Sequence, residues 1–281
     1  MKAYSKINFG LKVGKRDNDG LHPIISLMVK INFYDELTIL PASKFELHSS
    51  APPYGEDNLV YKVVHEFYRR IGKPPRVKVI LKKNVWIGSG LGGGSADAAT
   101  ALKMLNEFEG YPLNNKELLE LGQQLGSDVP FFLNSNGLAI VLGKGETVLP
   151  LNAKFPFPYI LLVNPGVEIS TQTMYQMLDE FRISTGIESC LTFSDKDIIF
   201  LKDAIEKGDW HLWDWRNEFE PLLRMRYKVY DEIYEWLKSI GAEVVSITGT
   251  GAAMYGLFKK PPQFSVCSWR VQLTMPVYTG V

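Results

Sequence analysis

The residues best suited to chemistry fall in three places, and the densest is Gly88-Ser89-Gly90-Leu91-Gly92-Gly93-Gly94-Ser95, with five glycines in seven positions. Each glycine costs backbone entropy and packs nothing, so such density needs a reason. Close backbone approach supplies one: successive N–H groups, followed by a helix start, cradle phosphate oxygens. A flexible linker is the plain alternative, but it would not be bracketed by a buried-looking strand and helix. Gly88, Gly90 and Gly93 also match G-x-G-x-x-G. The dinucleotide fingerprint, however, requires a second parallel strand ending in an acidic residue about 20 positions on. Here that window, residues 108–113, is a helix end and turn. No Gly-Lys-Ser/Thr closes the run, which excludes a P-loop.

Two charged residues stand apart from this loop. Lys6 lies inside an otherwise apolar or small strand, where by itself it reads equally well as a solvated lysine. Asp128 follows a helix stop at Gly126 and precedes Val129-Pro130-Phe131-Phe132. Alone it reads first as a helix cap. A carboxylate among such apolar neighbours is otherwise costly unless paired or hydrogen-bonded. Asn8, two residues from Lys6, shares its strand face. His22 directly follows the polar turn Lys15-Arg16-Asp17-Asn18-Asp19-Gly20, a setting in which a lone histidine is commonly a surface residue.

The elements that must hold these residues are visible as periodicity. Strand patterns cover residues 4–13, 22–32, 36–40 and 76–82, and helical patterns cover about 57–70, 98–108 and 116–125. Phe155-Pro156-Phe157-Pro158 is the best hinge, because alternate prolines break helices and sheet ladders alike. A domain boundary there divides the chain into residues 1–153 and 154–281. Beyond it the patterns predict a buried strand at 159–163 and helices at 173–181, 195–207 and 227–240. Strands at 243–247 and 252–258 are joined through Thr248-Gly249-Thr250-Gly251. The fold class is therefore α+β.

Composition bounds the partners. A chain of 281 residues fits about two domains. Its 31 Lys+Arg balance 31 Asp+Glu, which argues against a nucleic-acid or anionic-membrane binder but not against a phosphorylated small molecule. The two cysteines, Cys190 and Cys267, are far apart and have no ligand-spaced partners, so a reducing cytosol fits best. No apolar run approaches the ~18 residues of a membrane span, and the N-terminus carries no targeting pattern. A soluble, cytoplasmic protein is expected.

Taken together and in order, Lys6-Ile7-Asn8, the glycine loop with Ala96-Asp97-Ala98-Ala99, and Thr248-Gly249-Thr250-Gly251-Ala252 resemble the three motifs of the GHMP small-molecule kinases. Asp19-Gly20-Leu21-His22, Asp57-Asn58-Leu59 and Leu125-Gly126-Ser127-Asp128-Val129-Pro130 resemble its branch acting on a cytidine-diphosphate substrate of non-mevalonate isoprenoid synthesis. The resemblance spans about residues 2–258 and leaves the last ~20 without a part. It implies a two-domain α+β GHMP-kinase-like fold, with a left-handed βαβ unit in the N-terminal domain, a ferredoxin-like C-terminal domain and the site between them.

It further implies ATP-dependent phosphorylation of the 2-hydroxyl of a methylerythritol group, with Mg2+ accompanying ATP. Lys6 and Asp128 match the catalytic pair. Trp86, Ile87, Gly88, Ser89, Gly90, Leu91, Gly92, Gly93, Gly94, Ser95, Ala96 and Asn58 match the ATP side. Asn8, His22, Tyr175 and Thr250 match the substrate side. The metal ligands are left unassigned, as is the choice between monomer and homodimer. Three positions depart from the family pattern: Leu21 replaces a tyrosine that stacks on the base, Trp86 replaces a proline, and Ala96 replaces a serine, which leaves Ser95 as the phosphate or metal contact. Another GHMP kinase, for homoserine, mevalonate or a sugar, would share the glycine loop but not the segments around His22 and Asp128. A non-catalytic nucleotide sensor on the same fold would have no need of both Lys6 and Asp128.

Overall fold

A computed structural model describes the chain except residues 135, 188–193, 266 and 279–281. Cys190 lies outside the described residues. In chain order the elements are β1 (Lys2–Val13), β2 (Ile24–Pro41), β3 (Glu46–Ser49), α1 (Leu59–Ile71), β4 (Val77–Lys82), α2 (Gly93–Phe108), α3 (Asn115–Leu125), α4 (Val129–Asn134), β5 (Leu138–Gly143) and β6 (Thr147–Pro150). There follow β7 (Tyr159–Asn164), α5 (Thr171–Thr185), α6 (Asp195–Glu206), α7 (Glu220–Arg226), α8 (Val229–Ser239), β8 (Val244–Ile247), β9 (Met254–Phe258) and β10 (Arg270–Thr274).

The first sheet runs β3-β4-β2-β5-β6, with β1 paired to β2. β3 and β4 are parallel and joined through α1, forming its βαβ unit. The α1 helix starts where the Asn58 side chain accepts the Val60 N–H and stops at Gly72, in the left-handed conformation. Val60, Val63, Val64 and Phe67 recur at helical spacing and pack with Leu102 and Leu105 of α2 in one core. The second sheet, β10-β7-β9-β8, is antiparallel throughout. That is the ferredoxin-like strand order. Among the described residues no helix joins β9 to β10, so the second crossover of that motif is a loop.

A middle core lies between the sheets, where Ile7, Phe9, Leu27 and Val29 meet Ile160, Leu162 and Tyr255. A shift in the β1–β2 register between Tyr4 and Lys6 decides what β1 presents. Ala3 packs in the helix-covered core whereas Ile7 and Phe9 pack between the sheets, so the strand presents opposite faces on the two sides of this shift, and the buried Lys6 and Asn8 line a cleft.

Three expectations need correction. The strands expected at 22–32 and 36–40 are a single strand of 18 residues. The intervening Phe33-Tyr34-Asp35 continues the strand, with Asp35 fully buried and satisfied by the N–H groups of Asn84 and Val85. The helix expected at 227–240 begins only at Val229, after a separate α7 that ends at Tyr227 in extended backbone. The last residues are structural: β10 edges the second sheet, and beyond it Asn32 N–H donates to Met275 O at 2.9 Å and Val277 N–H to Lys30 O at 2.8 Å. The tail thus staples the two sheets.

Candidate active site

The glycine loop is a series of left-handed steps. Gly88, Gly90 and Gly92 have φ of +65°, +77° and +69°. Such alternation turns successive N–H groups to one side as an anion-binding concavity, and the unpaired N–H groups of the first turn of α2 continue it. Two of these glycines are also sterically required. A Cβ on Gly90 would stand 2.3 Å from the Thr248 carbonyl oxygen, and one on Gly92 would stand 3.0 Å from Lys6 Cε. Ser89 and Leu91 carry no free polar side chain to the cleft. Ser89 is buried and donates its hydroxyl to Trp86 O, while Leu91 is buried and accepts the Lys6 N–H at 2.9 Å. Gly88 and Gly94 have open space, and Ser95 stands half-buried in the first turn of α2.

Lys6 Nζ lies 3.4 Å from Asp128 Oδ2 and 2.5 Å from Asn8 Oδ1. Asp128 sits in the turn immediately before α4. The ammonium is almost wholly buried while the carboxylate keeps 26% of its side-chain surface open, so the pair faces the cleft from its floor. Asn8 ties this pair to the late loop: its N–H donates to Thr248 Oγ1 at 3.1 Å and its amide donates to Ser26 Oγ at 2.8 Å. Thr248 Oγ1 also lies 3.2 Å from Gly90 O. One threonine hydroxyl thus joins all three motifs, and the sequence reading passed over it in favour of Thr250. Thr250 lines the cleft and its hydroxyl meets that of Thr171 at 3.2 Å.

The cleft has a volume of about 840 Å3 and runs from Gly90, Gly92, Lys6 and Asp128 to His22 and Tyr175. It therefore collects the glycine loop, the charged pair and the base-side residues. At the far end the His22 and Tyr175 rings stack at 5.1 Å with 24° between planes. His22 Nδ1 is 2.9 Å from Gly14 O, which makes that nitrogen the donor, and Nε2 faces Asp179 at 3.3 Å. Burial, and then the charge of Asp128, push the Tyr175 hydroxyl up to about 12, so it stays protonated as a donor. Asp179 gave no sequence signal of its own. Its position four residues after Tyr175 on α5 is the only cue that it shares that helix face.

Residues 58–136 match the family described as GHMP kinases N terminal domain, and residues 199–265 match GHMP kinases C terminal. A 4-diphosphocytidyl-2-C-methyl-D-erythritol kinase of Thermodesulfovibrio yellowstonii is 37% identical over 260 residues, 92% of this chain and 88% of that protein. This chain belongs to the 4-diphosphocytidyl-2-C-methyl-D-erythritol kinase family. A crystal structure of a 4-(cytidine 5'-diphospho)-2C-methyl-D-erythritol kinase superposes with a TM-score of 0.77 at 27% identity, covering 99% of this chain and 98% of that one. A homoserine kinase of Cytophaga hutchinsonii shares the fold at a TM-score of 0.63 and 15% identity, covering 99% and 96%.

Within this kinase family the chain's departures can now be placed. Trp86, expected on the adenine side, is buried edge-on against Phe33, with the Arg270 guanidinium 5.5 Å from its ring centre. Its indole is packed in the core, while neighbouring Ile87 is exposed. Asn58 likewise has its amide engaged locally: it caps α1 and donates to Pro53 O at 2.8 Å. Gly93 and Ala96 pack inward, against Val85 and within the helix-covered core respectively. Leu21 is 51% exposed on the cleft wall, an aliphatic surface where the family pattern has an aromatic one.

Proposed function

We propose that this protein transfers the γ-phosphoryl group of ATP to the 2-hydroxyl of 4-diphosphocytidyl-2-C-methyl-D-erythritol, a step of non-mevalonate isoprenoid precursor synthesis. The observation that carries the reading is the Lys6–Asp128 pair, which opens into the same cleft as the left-handed glycines at 90 and 92. Phosphoryl transfer asks mainly for positioning and charge stabilisation, and a base, a cation and a backbone cradle are sufficient for it. The hydroxyl oxygen attacks the γ-phosphorus, the bond to the ADP oxygen breaks, and the hydroxyl proton passes to Asp128. Lys6, held by Asn8, offsets charge between acceptor and γ-phosphate.

Mg2+ accompanies ATP in this reading, bound largely by phosphate oxygens and water as is usual for that ion. The Ser95 hydroxyl, at the start of α2, is the side chain placed to assist, and the ion would neutralise developing phosphate charge. His22 and Tyr175 bind the cytosine end, and Thr250 and Asn8 the part between. The division into domains 1–153 and 154–281 belongs to the same reading, as do a cytoplasmic location and a monomer or homodimer. Among the described residues no helix is long and apolar enough to cross a membrane. Release of ADP with the cytidine substrate, and not with homoserine or mevalonate, is expected. Turnover of either competitor instead, or of no alcohol, would reject the assignment.

A further inference from the structure

A second charge cluster lies under the glycine loop and takes no part in the reaction just described. Lys83 follows the last residue of β4, and its ammonium contacts Asp35 Oδ2 of β2 and lies 2.6 Å from Asp97 Oδ2 of α2. Asp35 Oδ1 accepts the N–H groups of Asn84 at 2.5 Å and Val85 at 2.8 Å. The cluster therefore grips the chain just before the loop, at residues 83–85, and just after it, at Asp97. It also touches the loop's helical end, since a Cβ on Gly93 would meet Val85 Cγ1 at 3.0 Å and Asp35 Oδ2 at 3.5 Å.

One ammonium for two carboxylates leaves excess negative charge in a place where Asp35 and Asp97 are 0% and 2% exposed. Asp97 Oδ1 has no hydrogen-bond partner among the described residues. Burial is the main cause that pushes Asp97 up to about 8; Lys83 opposes the shift and Asp35 adds to it.

We propose that Lys83, Asp35 and Asp97 form a buried clamp that fixes the two ends of the phosphate loop, making Lys83 a positioning residue for the nucleotide rather than for the alcohol. It rests on the reading of residues 88–95 as the ATP cradle. Lys83→Met leaves two buried carboxylates without a cation. The KM for ATP should rise about ten-fold or more while that for the cytidine substrate stays within about three-fold. Amide hydrogen exchange at residues 86–96 of the ligand-free chain should quicken, with exchange in α8 and the second sheet unchanged.

Asp97→Asn keeps the Lys83–Asp35 pair and should hold the ATP KM within about three-fold of wild type at pH 7. Amide exchange at residues 86–96 should stay at the wild-type level in Asp97→Asn and quicken in Asp97→Leu, which removes the contact with Lys83, a readout available even where Lys83→Met does not fold. Equal rises in both KM values, or unchanged loop exchange in Lys83→Met or in Asp97→Leu, would overturn the clamp. A wild-type chain that turns over no alcohol with ATP would reject the kinase reading, while the exchange measurements, which need no ligand, would still decide the clamp.

Discussion

At the phosphate end of the cleft the contacts are backbone atoms and buried side chains locked by Thr248, Asn8 and Tyr255, whereas at the base end His22, Tyr175 and Asp179 meet beside an exposed Leu21. The first end has little freedom: Gly90 touches the late loop, Leu91 is hydrogen-bonded to Lys6, and the Asn8 carbonyl accepts the Tyr255 hydroxyl at 2.9 Å. The second depends on side-chain stacking and one ionisable contact. Transition-state stabilisation needs donors and charges set in advance, while affinity for a base can be adjusted one wall at a time.

The comparison can be broken most sharply at Asp128. Asp128→Ala should lower kcat by about 10²–10⁴-fold in steady-state assays, the usual range for a positioned acid–base group. Near-normal turnover would remove it from the mechanism. Lys6→Met comes next: its effect should fall on kcat more than on the KM for ATP if its charge acts in the transition state, and the reverse pattern would make it a binding residue only.

Gly90→Ala should cost on the order of 2 kcal/mol or more of stability in denaturant titrations, because a left-handed backbone and a 2.3 Å clash with Thr248 O act together. A variant as stable as wild type would mean the phosphate end is looser than its contacts indicate. The smallest effect is expected at the base end. Leu21→Tyr should lower the KM for the cytidine substrate several-fold, since stacking is worth about 1–3 kcal/mol per base. An unchanged or higher KM would show that the aliphatic wall is not what limits affinity.

Much of the scaffold was legible locally. The spans of α1, α2, α3 and β4 follow from apolar period, caps and glycine stops, and the hinge prolines mark where the chain passes from the first sheet to the second. What escaped was paired at a distance. β3, β5, β6 and β10 are as long as β4 and β7 to β9, which were legible, so it is not length but the neighbour each pairs with that gives them their identity. At the site, the grouping of Lys6, Asn8 and Asp128 was expected from motif order, and the structure brings the three together at one cleft. Thr248 was not singled out, because its value lies in reaching Asn8 from 240 positions away. The packing of the Trp86 indole against Phe33 was beyond reach for a related reason: a place in a motif does not say which way the ring points.

By itself the sequence determined the chemistry available: a glycine run suited to backbone approach, one lysine and one aspartate in apolar settings, and a charge balance that argues against polyelectrolyte binding but not against a nucleotide. Only the tertiary structure decided that Lys6 and Asp128 stand 3.4 Å apart over one cleft, and that Lys83, Asp35 and Asp97 share a buried charge beneath the loop. Residue types and local periods are properties of neighbours along the chain, but the distance between two charges depends on how sheets and helices pack. A register irregularity between β1 and β2 is enough to change which face of β1 meets which core on either side of it.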